Sequence, residues 1–214
     1  GFLQVSRRLA QEGLNKNRDL KKFLREFSHK SRIKGIEIKN YVSLSNLEVY
    51  LNQRKNRLTV LIDRDGIINK NPKRGDYVKN SSELIFIERN LKFFQDISIN
   101  YRTDFIVISN QAGIARKMLT QESLNEVNSS IAIEALKWKI NLLAFYICPH
   151  HWDDGCECRK PAPGLFFRAA AEHLVRMDRT VYVGDDPRDA RAAFNAECAS
   201  VLRSEEHTSE LQSH

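Results

Sequence analysis

Leu58-Thr59-Val60-Leu61-Ile62-Asp63-Arg64-Asp65-Gly66-Ile67-Ile68-Asn69 is the stretch from which the fold follows. Its first five residues are a short apolar, partly β-branched run, the pattern of a buried strand. The run delivers two carboxylates, Asp63 and Asp65, at its carboxyl end, with a glycine immediately after them. Carboxylates at i and i+2 off a strand end can point the same way and share a hard cation such as Mg²⁺. One can attack phosphorus while the other works as acid and base. Taken alone, D-x-D-G is also the sequence of an ordinary turn after any strand.

Two further strand ends remove that ambiguity. Phe105-Ile106-Val107-Ile108 runs into Ser109-Asn110-Gln111-Ala112-Gly113, which offers a hydroxyl, amides and backbone N–H groups to phosphoryl oxygens. Thr180-Val181-Tyr182-Val183 runs into Gly184-Asp185-Asp186, with Asp189 close behind. In an open parallel sheet, ligands bind at the carboxyl ends of the strands. The expectation is a three-layer α/β/α domain with a mostly parallel sheet and one crevice holding all these groups. Between the second and third strands lies Cys148-Pro149-His150-His151-Trp152-Asp153-Asp154-Gly155-Cys156-Glu157-Cys158-Arg159-Lys160-Pro161. Cys148, His150, Cys156 and Cys158 have the spacing and donor types to close tetrahedrally on one Zn²⁺. A closed site of that kind is structural, and it would hold Arg159 and Lys160 in place.

The order and type of these motifs resemble the haloacid dehalogenase (HAD) superfamily of phosphatases. "DRDGIIN", "SNQAGIAR", "CPHHWDDGCECRKPAPG" and "YVGDDPRDARAAFNA" are similar to its zinc-containing branch, over about Arg57 to Leu202. That resemblance implies a Rossmann-like HAD domain and a Mg²⁺-dependent phosphomonoester hydrolase. Asp63 would attack phosphorus and become an aspartyl phosphate, while Asp65 protonates the leaving alkoxide and then activates water. Mg²⁺ would lie between the Asp63 carboxylate, the Asp65 carbonyl and Asp185. Ser109, Asn110 and Gln111 would hold substrate, Lys160 would neutralise charge, and the planar fork of Arg159 would read the substrate. The double His of "CPHH" and the "KPAPG" continuation imply a small sugar phosphate, heptose 1,7-bisphosphate, in a route to a surface glycan such as lipopolysaccharide. Histidinol phosphate is the alternative substrate, and a non-catalytic zinc module the alternative class.

Other residues carry weaker signals. Asp186 stands where many relatives have a basic residue. It either adds to the cation shell or faces water, and the solvated reading is favoured. Asp189 either orients the metal shell or serves as a helix N-terminal residue. His151 packs or faces substrate, and Trp152 stacks on a sugar or covers the metal site. Cys198 reads as a buried small residue, His173 as a surface position on a helix, and Phe93-Phe94 as core.

The net charge of +7 is unevenly placed. Residues 1–57 hold 14 Lys and Arg against 5 Asp and Glu, and the remainder holds 20 against 22. The basicity therefore belongs to an amino-terminal appendage, residues 1–56, and not to the catalytic part. Without interleaved aromatic residues this charge argues against nucleic acid as the partner. The appendage resembles the tail of an upstream sugar-phosphate nucleotidyltransferase, which implies a fusion. No apolar run reaches the roughly 20 residues that span a bilayer. Three of the four Cys fall in the zinc motif, which points to a reducing compartment, the cytoplasm. Residues 57–202 are expected to form the phosphatase domain, cut at its carboxyl end where Ala199–Leu202 begins another strand. Residues 203–214 match the in-frame translation of a common short-read sequencing adapter and are set apart from the fold.

Overall fold

A computed structural model describes residues 57–203. The appendage and all but the first residue of the tail lie outside them. Five strands alternate with helices: β1 (Leu58–Ile62), α1 (Glu88–Asn100), β2 (Thr103–Asn110), α2 (Gln121–Lys137), β3 (Leu142–Cys148), α3 (Gly164–His173), β4 (Thr180–Gly184), α4 (Pro187–Asn195) and β5 (Ala199–Leu202). All pairings are parallel, in the order β3-β2-β1-β4-β5. Parallel neighbours need crossover connections, and here helices supply them.

The sheet is buried on both faces, which is why β1 and β2 read as continuous apolar runs and do not alternate. Successive side chains still go to opposite sides. Val60, Ile62, Phe105 and Val107 pack with Leu91 and Phe94 of α1 and Val127 and Ile131 of α2. Leu61, Ile106, Ile108 and Tyr182 pack with Leu165 and Phe166 of α3 and Ala192 and Ala193 of α4. Three layers follow, as the sequence predicts. Of the expected core pair, Phe94 is 2% exposed but Phe93 is 58% exposed, because a residue next to a core position on a helix faces outward.

Cys198 is buried as expected. His173 is half-buried, its ring edge-on to Tyr146 at 6.0 Å, and so is not the plain surface position expected. At the amino end of β2, Asp104 is buried and accepts from Arg57 Nε at 2.8 Å and Asn141 Nδ2 at 2.5 Å, with Arg57 Nη2 closing the fork. That contact ties the starts of β1, β2 and β3 together. The four residues of β5 are exposed, and Arg203 continues its pairing by donating to the Gly184 carbonyl at 2.8 Å.

Candidate active site

β1 and β4 are adjacent, and the loops after them meet at the carboxyl edge of the sheet, where the strand order reverses direction. The Asp63 N–H donates to the Val183 carbonyl at 2.9 Å, which pins the start of the D-x-D loop to β4. Asp63 Oδ1 accepts from the Arg64 N–H at 2.7 Å and pairs with Lys160 Nζ at 3.0 Å. Burial pushes the Asp63 carboxyl up to about 6, with Lys160 opposing that shift and the neighbouring Asp189 and Asp65 adding to it.

Lys160, 3% exposed, is the centre of the site. Its Nζ lies 2.7 Å from Asp189 Oδ1, 2.7 Å from the Tyr182 hydroxyl and 3.0 Å from the Ile108 carbonyl. Asp189 is 1% exposed, and its other oxygen accepts from the N–H groups of Asp185 and Asp186, each at 3.2 Å. It serves as the N3 residue of the capping box of α4, the helix-terminal role foreseen for it, and also anchors the charged cluster through Lys160. Gly184 makes that approach feasible, since a Cβ there would lie 2.2 Å from Asp189 Oδ2. Burial pushes the Tyr182 hydroxyl well above its ordinary value, so it stays a neutral phenol.

The Asp65 carboxylate is oriented by its own loop and by β2. Oδ1 accepts from Asn69 Nδ2 at 2.8 Å, and Oδ2 from Gln111 Nε2 at 2.8 Å and the buried Arg64 Nη2 at 3.0 Å. Gln111 is 1% exposed and also donates to Ser109 Oγ at 3.0 Å. The Gln111 side chain thus turns inward, its Nε2 shared between Asp65 and Ser109. The Asn110 side chain accepts from the Lys160 N–H at 3.0 Å and donates to the Lys160 carbonyl at 3.1 Å. Its amide clasps the Lys160 peptide and so positions the lysine.

One oxygen each from Asp63, Asp185 and Asp189 lie within 4.8 Å of one another. The Asp189 oxygens are already paired, which leaves Asp63 and Asp185 as the carboxylates open to a cation. Burial raises Asp185 as well, with a hydrogen bond from Asn71 Nδ2 at 2.7 Å opposing. Two neighbouring carboxylates, both held above their ordinary range chiefly by burial, fit a hard divalent ion, whose charge would offset that cost. Gly66, at φ +80, passes so close that a Cβ would sit 1.8 Å from Asp185 Oδ2. Asp186 caps α4 and accepts from Arg188 Nε and Nη2, both at 2.8 Å, with its side chain 36% exposed, in keeping with the solvated reading.

Cys148, His150, Cys156 and Cys158 come together as predicted. Their sulfurs lie 3.4 to 3.7 Å apart, and His150 Nδ1 lies 3.1 Å from Cys158 Sγ. A tetrahedron with Zn–S bonds of about 2.3 Å has edges of about 3.8 Å, so this thiol–imidazole set is close to the shape zinc needs. Gly164 allows the start of α3 to lie against the loop, donating to the Glu157 carbonyl at 2.9 Å.

Around these groups is a crevice of about 1270 Å³, lined among others by Asp63, Asp65, Ser109, Asp185, Trp152 and Arg159. Its rim is basic, with Lys73, Arg74, Arg116, Arg159 and Arg188. Arg116 spans two loops: its guanidinium lies 5.6 Å from the Tyr77 ring and 5.7 Å from the Trp152 ring, and Nη1 donates to the Gly75 carbonyl at 3.0 Å. Trp152 also stacks on His151 at 3.7 Å. Sequence reasoning did not single out Asn71, Arg74, Arg116 or Tyr182. Arg116 lay inside the quoted "SNQAGIAR", and nothing local marks Tyr182 as more than a core aromatic.

A doubly wound domain with an aspartate pair, a buried lysine and a further carboxylate at the strand ends is the framework of a phosphohydrolase. Comparison with known proteins agrees. A family model described as "HAD-hyrolase-like" matches residues 157–213. The D-glycero-beta-D-manno-heptose-1,7-bisphosphate 7-phosphatase of Bordetella bronchiseptica is 33% identical over 145 residues, covering 67% of this chain and 78% of that protein. A probable D-glycero-D-manno-heptose-1,7-bisphosphate 7-phosphatase of Thermoplasma acidophilum is 31% identical over 151 residues, covering 69% and 90%. The crystal structure of the D,D-heptose 1,7-bisphosphate phosphatase from B. bronchiseptica, complexed with magnesium and phosphate, superimposes with a TM-score of 0.63 at 30% identity, over 68% of this chain and 79% of that one. The chain belongs to the HAD superfamily of phosphatases. It is an enzyme, and the non-catalytic zinc module is set aside.

Proposed function

We propose that this phosphatase removes one phosphate from a heptose 1,7-bisphosphate, in the cytoplasm and within the synthesis of a surface glycan. The observation that carries the reading is the buried Asp63–Lys160–Asp189 set opening on a crevice with a basic rim. The names of the relatives supply the sugar. Asp63, whose hydrogen bonds both fall on Oδ1, uses its remaining oxygen to attack phosphorus and becomes an aspartyl phosphate. Lys160 offsets the charge that accumulates on Asp63 and the phosphoryl oxygens. Asp65, aimed by Asn69, Gln111 and Arg64, gives a proton to the leaving alkoxide and takes one from the water that releases phosphate. Ser109 offers its hydroxyl to a phosphoryl oxygen.

Asp63, the Asp65 carbonyl and Asp185 would hold Mg²⁺, which supplies charge neutralisation and alignment for phosphoryl transfer. Cys148, His150, Cys156 and Cys158 would hold Zn²⁺ and fix the loop that ends in Arg159 and Lys160. A bisphosphate brings a second anion, and Arg159 with the other rim cations suits it. No helix among the described residues is long and apolar enough to cross a membrane.

Phosphate release from heptose 1,7-bisphosphate and from histidinol phosphate, measured side by side with Mg²⁺, tests the substrate. Strong preference for the bisphosphate is expected. Preference for histidinol phosphate would keep the mechanism and overturn the sugar.

A further inference from the structure

Lys160 Nζ carries three protons and faces four acceptors: Asp63 Oδ1 at 3.0 Å, Asp189 Oδ1 at 2.7 Å, the Ile108 carbonyl at 3.0 Å and Tyr182 Oη at 2.7 Å. Three of these belong to the floor of the site. Only Asp63 belongs to the reacting set. A lysine that serves phosphoryl transfer must keep one N–H towards Asp63 and the incoming phosphoryl oxygens, and the rest of its protons must be held elsewhere.

Tyr182 is placed for that task. It is fully buried in β4, with its ring against Phe166 at 5.0 Å. Its hydroxyl can accept from Lys160 and at the same time donate to Asp189 Oδ1 at 3.2 Å or the Ile108 carbonyl at 3.3 Å. It thus bridges the lysine and the aspartate behind it. A phenol is also the right chemistry. Lys160 already stands between two carboxylates, and the crevice must admit a phosphate dianion. A third carboxylate would add repulsion, whereas a neutral hydroxyl fixes the ammonium without changing the charge.

We infer that Tyr182 is a positioning residue for phosphoryl transfer: its hydroxyl holds Lys160 from beneath so that one N–H stays on Asp63 and the transferring phosphoryl group. This rests on the roles of Asp63 and Lys160 given above. Because the hydroxyl touches neither substrate nor reacting atoms, its contribution is felt when charge moves and not when substrate binds. Removing it should affect the transition state and leave ground-state affinity nearly untouched.

The test is a double-mutant cycle of Tyr182→Phe with Lys160→Met in the full chain. It is read as kcat and KM for phosphate release, with thermal midpoints to establish that each variant is folded. Tyr182→Phe should lower kcat about ten- to a hundredfold, the scale of a small misplacement of a catalytic group, with KM unchanged. Inhibition by orthovanadate, which mimics the five-coordinate phosphorus, should weaken in parallel, while inhibition by inorganic phosphate stays as it was. In the Lys160→Met background the same substitution should cost almost nothing further, since Tyr182 acts through the lysine. An unchanged kcat in a folded Tyr182→Phe, an equal loss in both backgrounds, or an effect on KM alone would overturn the inference. If Tyr182→Phe does not fold, Tyr182→Met, another apolar chain without the hydroxyl, carries the same expectations and the same refutations. Wild-type turnover in Lys160→Met would be a separate failure, that of the lysine's role.

Discussion

At the amino end of β2, Asp104 is 1% exposed and paired with Arg57 and Asn141; at the carboxyl ends of β1 and β4, Asp63 and Asp189 share the buried Lys160. Both ends of one sheet bury carboxylates beside a cation. Burial with a partner therefore does not mark a site by itself. The difference lies in what remains. Both oxygens of Asp104 are bonded, and nothing is left for a ligand. Asp63 spends only Oδ1 on its neighbours and lines a crevice. The first arrangement holds three strands in register, and the second waits for charge to arrive.

Substituting Asp63→Asn should break one side of this contrast and leave the other intact. Loss of the nucleophile is expected to cost at least about a thousandfold in kcat. The fold should persist, because the amide keeps the shape and burial at position 63 is offset by fewer like charges. Phosphate release and a thermal melt on the same preparation check both halves.

Asp104→Ala should give the mirror image. Breaking a buried ion pair is strongly destabilising, and since Arg57 is 33% exposed the cost is discounted to about 2–3 kcal/mol. That corresponds to a drop of roughly 4–12 °C in the melting midpoint for a chain of this size. Turnover per folded molecule should stay near wild type at a temperature well below the transition. A loss of kcat without a loss of stability would mean that the two ends do not divide the work in this way.

The reason one end was readable in the sequence and the other was not is the spacing of the partners. Asp63 and Asp65 are two positions apart and sit directly after an apolar run, so strand and chemistry were visible together. The zinc ligands fall within eleven residues, and a local loop brings them together. Asp104 meets Arg57 across 47 residues and Asn141 across 37, and no local pattern announces either contact. Strand β3, "LLAFYIC", escaped notice for a related reason. It is an edge strand, its apolar run merges into the zinc loop, and its cysteine drew attention as a ligand. The positions of Gln111 and Asn110 at the strand end were legible, but the partners of their side chains were not. Which way an amide turns is settled by partners 46 and 50 residues distant.

The rim gives the smallest expected effect. Trp152 is 55% exposed and touches Arg116 and His151 by ring contacts alone. An exposed cation–π contact is worth about 0.5–1 kcal/mol. Trp152→Ala should therefore raise KM about two- to fivefold with kcat unchanged, as measured by steady-state phosphate release. A fall in kcat of similar size would mean that the zinc loop reaches the reacting centre through more than Arg159 and Lys160.

The stereochemical course at phosphorus tests the central claim most directly. A substrate made chiral at the transferred phosphoryl group by oxygen isotopes would be hydrolysed, and the configuration of the released phosphate determined. Two successive in-line displacements, first by Asp63 and then by water, predict net retention. Net inversion would mean a single displacement by water, with Asp63 a bystander to the bond that breaks.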